Sequence, residues 1–428
     1  MKTKFIVLVP DGMADYPLKE LNYKTPLEIA KTPNLDRLTR EGQIGLSKNV
    51  PAKMTPGSDV AILSLLGYNP VKYYTGRGPL EAASRGIKLS DEEVAFRCNL
   101  VTVDHEFLTD YSAGHIQSQE GSILMEMINK KLGDKDIRFY PGVSYRNLMV
   151  AKTKVFEPDS SGHDKLKEKF FKKLKKEKSA AENIKCYPPH DILNQPYKEF
   201  LPQGEKGSLI RELTEHSKDL LEKQDVNRVR IDLGENPANM IWLWGQGGRP
   251  KLPGFWEKYT LRGGVISAVD LIKGLGKYLG LKVIDVPGAT GYYDTNYEGK
   301  AEAALACLTK TDFVFVHVEA PDEAGHNGDI VAKIKTIEDF DRRLLGRILA
   351  GLEKPRRYRV MVLPDHPTPI ALRTHTREAV PFVIWGSEVK KNNFKTFSEK
   401  QAQKSSIHFN KGYNLMPHFI NLKGGRAV

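Results

Sequence analysis

Three times in this chain an apolar run leads into Pro-Asp: FIVLV before Pro10-Asp11, FVFVHVEA before Pro321-Asp322 and VMVL before Pro364-Asp365. Short runs without polar alternation read as strands buried on both faces, the habit of parallel sheets. Phe5–Val9, Phe313–Val318, Tyr358–Leu363 and Pro381–Trp385 are therefore predicted as buried parallel strands. Helical patterns lie between them, including Thr32–Gly42, with Thr-Pro as its start and Gly as its stop, and Val331–Leu352. The alternation predicts an α/β fold with helices on both faces of the sheet. Ligands of such sheets bind at the carboxyl ends of the strands. Three carboxylates delivered to that edge repel one another unless cations lie between them.

The histidines point the same way. Of eleven in the chain, four fall between residues 317 and 375. His326 follows Asp322 by four residues, His366 is adjacent to Asp365, and His375 lies ten residues beyond Asp365. Each alone has a plain explanation, since an aspartate at a strand end often caps a helix. Together, three aspartates and three histidines exceed one tetrahedral site and suit a pair of divalent ions. Mixed oxygen and nitrogen donors favour Mn²⁺ or Zn²⁺ over Mg²⁺ or Ca²⁺. His317 sits mid-strand among Val, Phe and Val, and reads as a packed histidine or one that backs a ligand. MTPGSDVAILSLLG (54–67) brings Ser58 to the first turn of a helix, where backbone N–H groups favour an anion. Beside a metal pair, Ser58 would be a nucleophile able to attack phosphorus; otherwise it is an N-cap.

The chain has 428 residues, enough for two or three domains. The stretch from about 70 to 260 has long polar segments and few strong strand runs, and reads as a second domain inserted into the first. A net charge of +12 suggests an anionic partner. Half of it sits in Lys165–Lys178, whose eight lysines and two glutamates carry a net +6. With no aromatic platform or nucleic-acid motif beside it, that segment reads as a solvated helix face, and neither nucleic acid nor membrane is expected as a partner. Cys98, Cys186 and Cys307 form no disulfide framework, and no apolar run is long enough to span a bilayer, so a cytoplasmic location is expected. Gly274-x-Gly276-x₃-Gly280 lacks the dinucleotide-loop spacing and follows no clear strand, so no nucleotide site is expected.

VPDGMAD (9–15), TPGSDVA (55–61), YYTGRGPLEA (73–82), DYSAGHI (110–116), GVSYR (142–146) and PPHDI (188–192) mark the first half of a resemblance; PGATGYYDTNYEGKA (287–301), APDEAGHNGD (320–329), LPDHPTP (363–369) and RTHTREAVPFVIWG (373–386) mark the second. In this order and spacing the chain resembles the archaeal-type 2,3-bisphosphoglycerate-independent phosphoglycerate mutases of the alkaline phosphatase superfamily. The resemblance implies an alkaline-phosphatase-like, mostly parallel sheet domain formed by 1–70 and 260–428, with a smaller α+β cap domain at 71–259. It implies that Ser58 accepts the phosphoryl group, that Asp11, Ser58, Asp365 and His366 hold one metal, and that Asp322, His326 and His375 hold the other. Two divalent ions are implied, Mn²⁺ first, with Zn²⁺, Co²⁺ or Mg²⁺ also compatible, and no 2,3-bisphosphoglycerate. Asp110, Arg146, His190 and Asp191 are candidate substrate contacts, with Arg77 a similar case. Lys273 or Lys300 would assist charge neutralisation at the serine. The substrate would be the small molecule 3-phosphoglycerate or 2-phosphoglycerate; the alternative is another phosphomutase or phosphohydrolase of the same superfamily.

Overall fold

The computed structural model describes residues 3–156, 184–203, 207–352 and 357–422. Lys165–Lys178 lies outside them. The chain divides into two compact units, Met1–Tyr74 with Lys251–Val428, and Thr75–Pro250. Thirteen strands are found among the described residues. In chain order they are β1 (Lys4–Pro10), β2 (Gln43–Ser47), β3 (Glu93–Asp104), β4 (Phe107–Asp110), β5 (Ile137–Val143), β6 (Arg146–Lys152) and β7 (Met240–Gly248), followed by β8 (Gly263–Ile266), β9 (Lys282–Ile284), β10 (Phe313–Val318), β11 (Tyr358–Val362), β12 (Val380–Gly386) and β13 (His408–Phe409).

The first unit is built on an eight-stranded sheet in the order β13-β2-β12-β11-β1-β10-β8-β9. β11, β1, β10, β8 and β9 run parallel, pairing Val7 with both Phe315 and Met361. Ile6, Val7, Leu8 and Val9 are fully buried, as are Phe313–Val316, which is why these runs lack polar alternation. The helices Pro33–Glu41, Tyr297–Lys310 and Ile330–Asp339 contribute Leu35, Leu38, Ala301, Ala304 and Ile337 to one core with Ile6, Leu8 and Val316.

Four sequence expectations about this first unit need correction. β12 is antiparallel to both β11 and β2, not parallel. A strand buried on both faces has the same composition whichever way it runs, and the long connection from β11 contains no crossover helix to turn the chain back. Pro321-Asp322 does not end β10 but occupies the first turn of the helix Ala320–Asn327, where proline's missing N–H costs nothing. The helix predicted over Val331–Leu352 starts at Ile330 but passes into a π-helical turn at Phe340–Leu345. A strand, β8, does precede the glycine pattern, but Gly274 and Gly276 are buried inside the helix Asp270–Tyr278 rather than at its start, so no phosphate loop forms.

The second unit contains a five-stranded sheet, with β3 flanked by β6 and β7 and all pairings antiparallel. The expectation of few strand runs in this region fails at β3, whose first eleven residues are all buried. Its sequence, EVAFRCNLVTVD, hides the strand because its polar residues are buried but partnered. Arg97 pairs with Glu81 at 2.9 Å, and Asn99 Oδ1 accepts from Trp244 Nε1 at 3.0 Å. Helices Ser118–Leu132 and Ser208–Leu221 pack Leu124, Met125, Ile128, Ile210 and Leu213 against Phe96, Cys98 and Leu100.

Candidate active site

β11, β1 and β10 are neighbours and run parallel, so the segments leaving their carboxyl ends bring Asp365, Asp11 and Asp322 together. All three aspartates are buried. Burial first, and then the charges of Asp365 and Asp322, hold the Asp11 carboxyl well above its ordinary value. Ser58 is the first residue of the helix Ser58–Leu65, whose N-cap, Gly57, has no side chain to offer. The serine is thus not the cap. Its Oγ donates to Asp11 Oδ2 at 3.1 Å and lies 3.2 Å from His366 Nε2. The helix behind it is buried from Asp59 to Leu65, which fixes its direction.

Asp11, Asp365 and His366 place one donor atom each within 4.8 Å of one another, and so do Asp322, His366 and His375. His366 Nε2 lies 3.2 Å from Asp365 Oδ2 and 3.6 Å from Asp11 Oδ1. His326 and Asp322 share a helix face at i, i+4, with Nε2 3.2 Å from Oδ2. His326 Nε2 is 2.9 Å from His375 Nε2, which is 3.5 Å from Asp322 Oδ1. His326 Nδ1 donates to the Arg373 carbonyl at 3.0 Å, which turns Nε2 toward the cluster. Burial pulls His326 down, but the hydrogen bond and charge of Asp322 prevail and push it up to about 9.

These residues fit a pair of divalent cations. Asp11 Oδ1 and Asp365 Oδ2 are buried oxygens that accept no hydrogen bond among the described residues, an expensive arrangement for a carboxylate. Three carboxylates and three imidazoles form a mixed donor set of the kind that borderline divalent metals prefer. A third set, Asp11, His317 and Glu319, also gathers donors within 4.8 Å. There, both nitrogens of His317 are engaged, Nε2 with Asp11 Oδ2 at 2.8 Å and Nδ1 with Ser267 Oγ at 3.2 Å. Burial brings His317 down to about 4, so it is a neutral donor that orients Asp11.

The two lysines differ. Lys273 is tied to Asp285 at 2.7 Å. Lys300 is buried, and its Nζ donates to the carbonyl of His317 at 3.0 Å. Burial, opposed by Glu319 and aided by Lys273, lowers it to about 8.

In the second unit, Asp110 organises a turn, accepting from Ser112 N at 2.7 Å, Gly114 N at 2.7 Å and Asn236 Nδ2 at 2.9 Å. Arg146 lies 4.4 Å from the centre of the Tyr145 ring. Tyr145 meets Tyr111, Tyr111 meets His190, and His190 meets Trp244, each edge to face, the last at 5.4 Å. Asp191 is exposed, 3.8 Å from His190. Sequence reasoning missed Arg97, 4.3 Å from the centre of the Trp244 ring; Arg77 is 5.9 Å from it. Burial lowers Arg97, as do Arg77 and Arg146, while Glu81 opposes them. The available signal was one cation in the middle of an otherwise apolar AFRCNLV. Also missed were Thr368, Lys333 and Glu319.

Comparison with known proteins agrees with the geometry. A family model described as 2,3-bisphosphoglycerate-independent phosphoglycerate mutase matches residues 39–227. A protein of that name from Methanosarcina barkeri is 47% identical over 98% of this chain and 100% of its own. One from Methanothrix thermoacetophila is 48% identical over 96% of this chain and 98% of its own. Among solved structures, a cofactor-independent phosphoglycerate mutase from Thermoplasma acidophilum superposes with a TM-score of 0.62 at 26% identity, covering 99% of this chain and 100% of that one. This chain, which places Ser58 at the head of a helix beside a carboxylate and histidine cluster and is related to these enzymes over nearly its whole length, belongs to the 2,3-bisphosphoglycerate-independent phosphoglycerate mutase family.

Proposed function

We propose that the chain interconverts 3-phosphoglycerate and 2-phosphoglycerate through a phosphoserine at Ser58, without 2,3-bisphosphoglycerate. The observation that carries this reading is the Ser58 hydroxyl, 3.1 Å from Asp11 and 3.2 Å from His366 at the start of a buried helix. Asp11, Ser58, Asp365 and His366 would hold one divalent ion and Asp322, His326 and His375 the other, Mn²⁺ being our first assignment. Bound there, the pair would supply positive charge that favours the serine alkoxide and neutralises the phosphoryl oxygens.

The chain's own groups do the rest. Ser58 Oγ forms a bond to phosphorus as the bond from phosphorus to the 3-oxygen of glycerate breaks. In the return step the 2-oxygen of the same glycerate takes the phosphoryl group and Ser58 is restored. Asp11 Oδ2 holds the serine hydrogen, and His317 holds Asp11. We assign charge support to Lys300 rather than Lys273, because Lys273 is already paired with Asp285.

The unit Thr75–Pro250 is assigned the glycerate carboxylate. Arg77 and Arg146 both lie within electrostatic reach of Arg97, and guanidinium forks match carboxylates. Water must be kept from the phosphoserine, since hydrolysis would turn a mutase into a phosphatase. Among the described residues no helix is long and apolar enough to cross a membrane, and all three cysteines are unpaired, which supports the cytoplasm as the site of reaction. The test is to incubate the Mn²⁺-loaded protein with 3-phosphoglycerate in the absence of bisphosphoglycerate. Formation of 2-phosphoglycerate is expected; release of phosphate and glycerate instead would make the chain a hydrolase.

A further inference from the structure

We propose that Thr368 is a positioning residue that ties the two halves of the metal centre together and determines which nitrogen of His366 faces a cation. The inference rests on the metal-pair reading given above. Thr368 is fully buried, and its Oγ1 meets two groups. It donates to Asp322 Oδ1 and lies 3.3 Å from His366 Nδ1. A hydroxyl has one hydrogen to give. Asp322, flanked by two imidazoles at 3.2 and 3.5 Å, is an acceptor, so that hydrogen goes to it. Toward His366 the same oxygen can only accept, which places the ring proton on Nδ1. With the ring proton on Nδ1, Nε2, which faces Asp365 Oδ2 at 3.2 Å and Ser58 Oγ at 3.2 Å, would present its lone pair to a bound cation. One hydroxyl thereby links the carboxylate of one half-site to the imidazole of the other.

The surroundings hold this one side chain in place from three directions. Lys333 Nζ, fully buried, donates to the Thr368 carbonyl at 2.7 Å and is paired with Asp15 Oδ2 at 2.6 Å. Thr368 N donates to the Ala14 carbonyl at 3.2 Å. A buried lysine is costly, and an apolar pair would fill the same space at lower cost; the ion pair instead fixes a carbonyl. Two glycines then leave the room that Thr368 needs. A Cβ on Gly12, whose φ is +60°, would fall 2.6 Å from Thr368 Oγ1 and 2.5 Å from Asp322 Oδ1. One on Gly325 would fall 2.4 Å from the Thr368 carbonyl oxygen. The glycines of PDG and DEAGH are thus explained by a threonine of PDHPT.

The test compares full-length wild type, Thr368→Val, which keeps the shape without the hydroxyl, and Thr368→Ser, which keeps the hydroxyl without the methyl. Mn²⁺ is titrated calorimetrically into each metal-free protein. Two sites are expected in wild type, a loss of about 10–100-fold in affinity in Thr368→Val, and affinity within about threefold of wild type in Thr368→Ser. The reverse order, with Thr368→Ser weakened and Thr368→Val spared, or equal affinity in all three, would overturn the proposal. Wild type that binds no Mn²⁺ would overturn the metal-pair reading itself, and this inference with it. Should Thr368→Val lose its cooperative melt, Thr368→Ala against Thr368→Ser makes the same comparison. Histidine ¹⁵N spectra of the proteins loaded with diamagnetic Zn²⁺ give an independent readout: His366 is expected to carry its proton on Nδ1 in wild type and Thr368→Ser. A wild-type His366 protonated on Nε2 alone would refute the relay.

Discussion

Lys300 is only 1% exposed, and burial lowers it from 10.5 to about 8. At about 1.4 kcal/mol per pH unit, that fall means the charged lysine costs the fold about 3 kcal/mol. The sign follows from proton linkage. Between about pH 8 and 10.5 the unfolded chain still holds this proton while the folded chain has released it, so the cost is present in full below 8 and relieved as pH rises to 10.5. Replacing Lys300 by Met removes the charge and keeps most of the apolar stem. It also removes the donor to the His317 carbonyl, a loss of about 1 kcal/mol. Lys300→Met should therefore be more stable than wild type by about 2 kcal/mol at pH 7, and less stable by about 1 kcal/mol at pH 10.5. Urea unfolding of both proteins in EDTA across this range measures the difference, in which the titrations of buried tyrosines and cysteines cancel. At pH 7 the same variant should lose most mutase turnover, because the charge that burdens the fold lies behind the Asp11–His317 pair. A difference in stability that does not vary with pH, or wild type the more stable at pH 7, would refute the reasoning.

Ser58→Ala should lower 3-phosphoglycerate turnover by at least about 10³-fold and abolish ³²P labelling of the protein, with the Asp322 half-site still binding Mn²⁺; substantial turnover would show that Ser58 is not the phosphoryl acceptor. EDTA should abolish activity and lower the melting temperature, and Mn²⁺ at about a hundred times its Kd should add about 2.7 kcal/mol of stability. Since His326 titrates at about 9, it carries a proton at pH 7 that a metal must displace, so calorimetry in buffers of different ionisation enthalpy should show close to one proton released at the Asp322 half-site, fading above pH 9. Gly12→Ala, forced into left-handed backbone at φ +60° and against Asp322, should cost at least about 1–2 kcal/mol and weaken Mn²⁺ binding, as read by denaturant midpoint and titration.

The centre of the first sheet and the aspartates that gather beside it were legible because burial on both faces writes a strand as an unbroken apolar run, and because Pro-Asp follows three such runs. Strand direction was not legible, and β12 shows why: the pattern records burial and not polarity of the chain. β3 was obscured by Arg97, Asn99 and Glu93, each made tolerable by a partner elsewhere in the sequence. Lys333 and Asp15 were obscured for the same reason. Separated by 318 positions, they look like two ordinary surface charges until the fold places them 2.6 Å apart with both side chains fully buried. Partnered burial is a property of pairs, and single-residue patterns do not record it.

The position of β1 in the sheet also governs how the chain can be made. β1 leaves the ribosome long before its neighbours β10 and β11, which begin at Phe313 and Tyr358. At about 5–20 residues per second, this apolar strand waits roughly 15–60 s for the partners that cover its edges. All the strands of the five-stranded sheet, the last ending at Gly248, are synthesised within that interval. The sheet that carries Asp11 thus cannot form until β10 and β11 have been made, and Phe5–Val9 needs protection, by a chaperone or by dilution, over that interval.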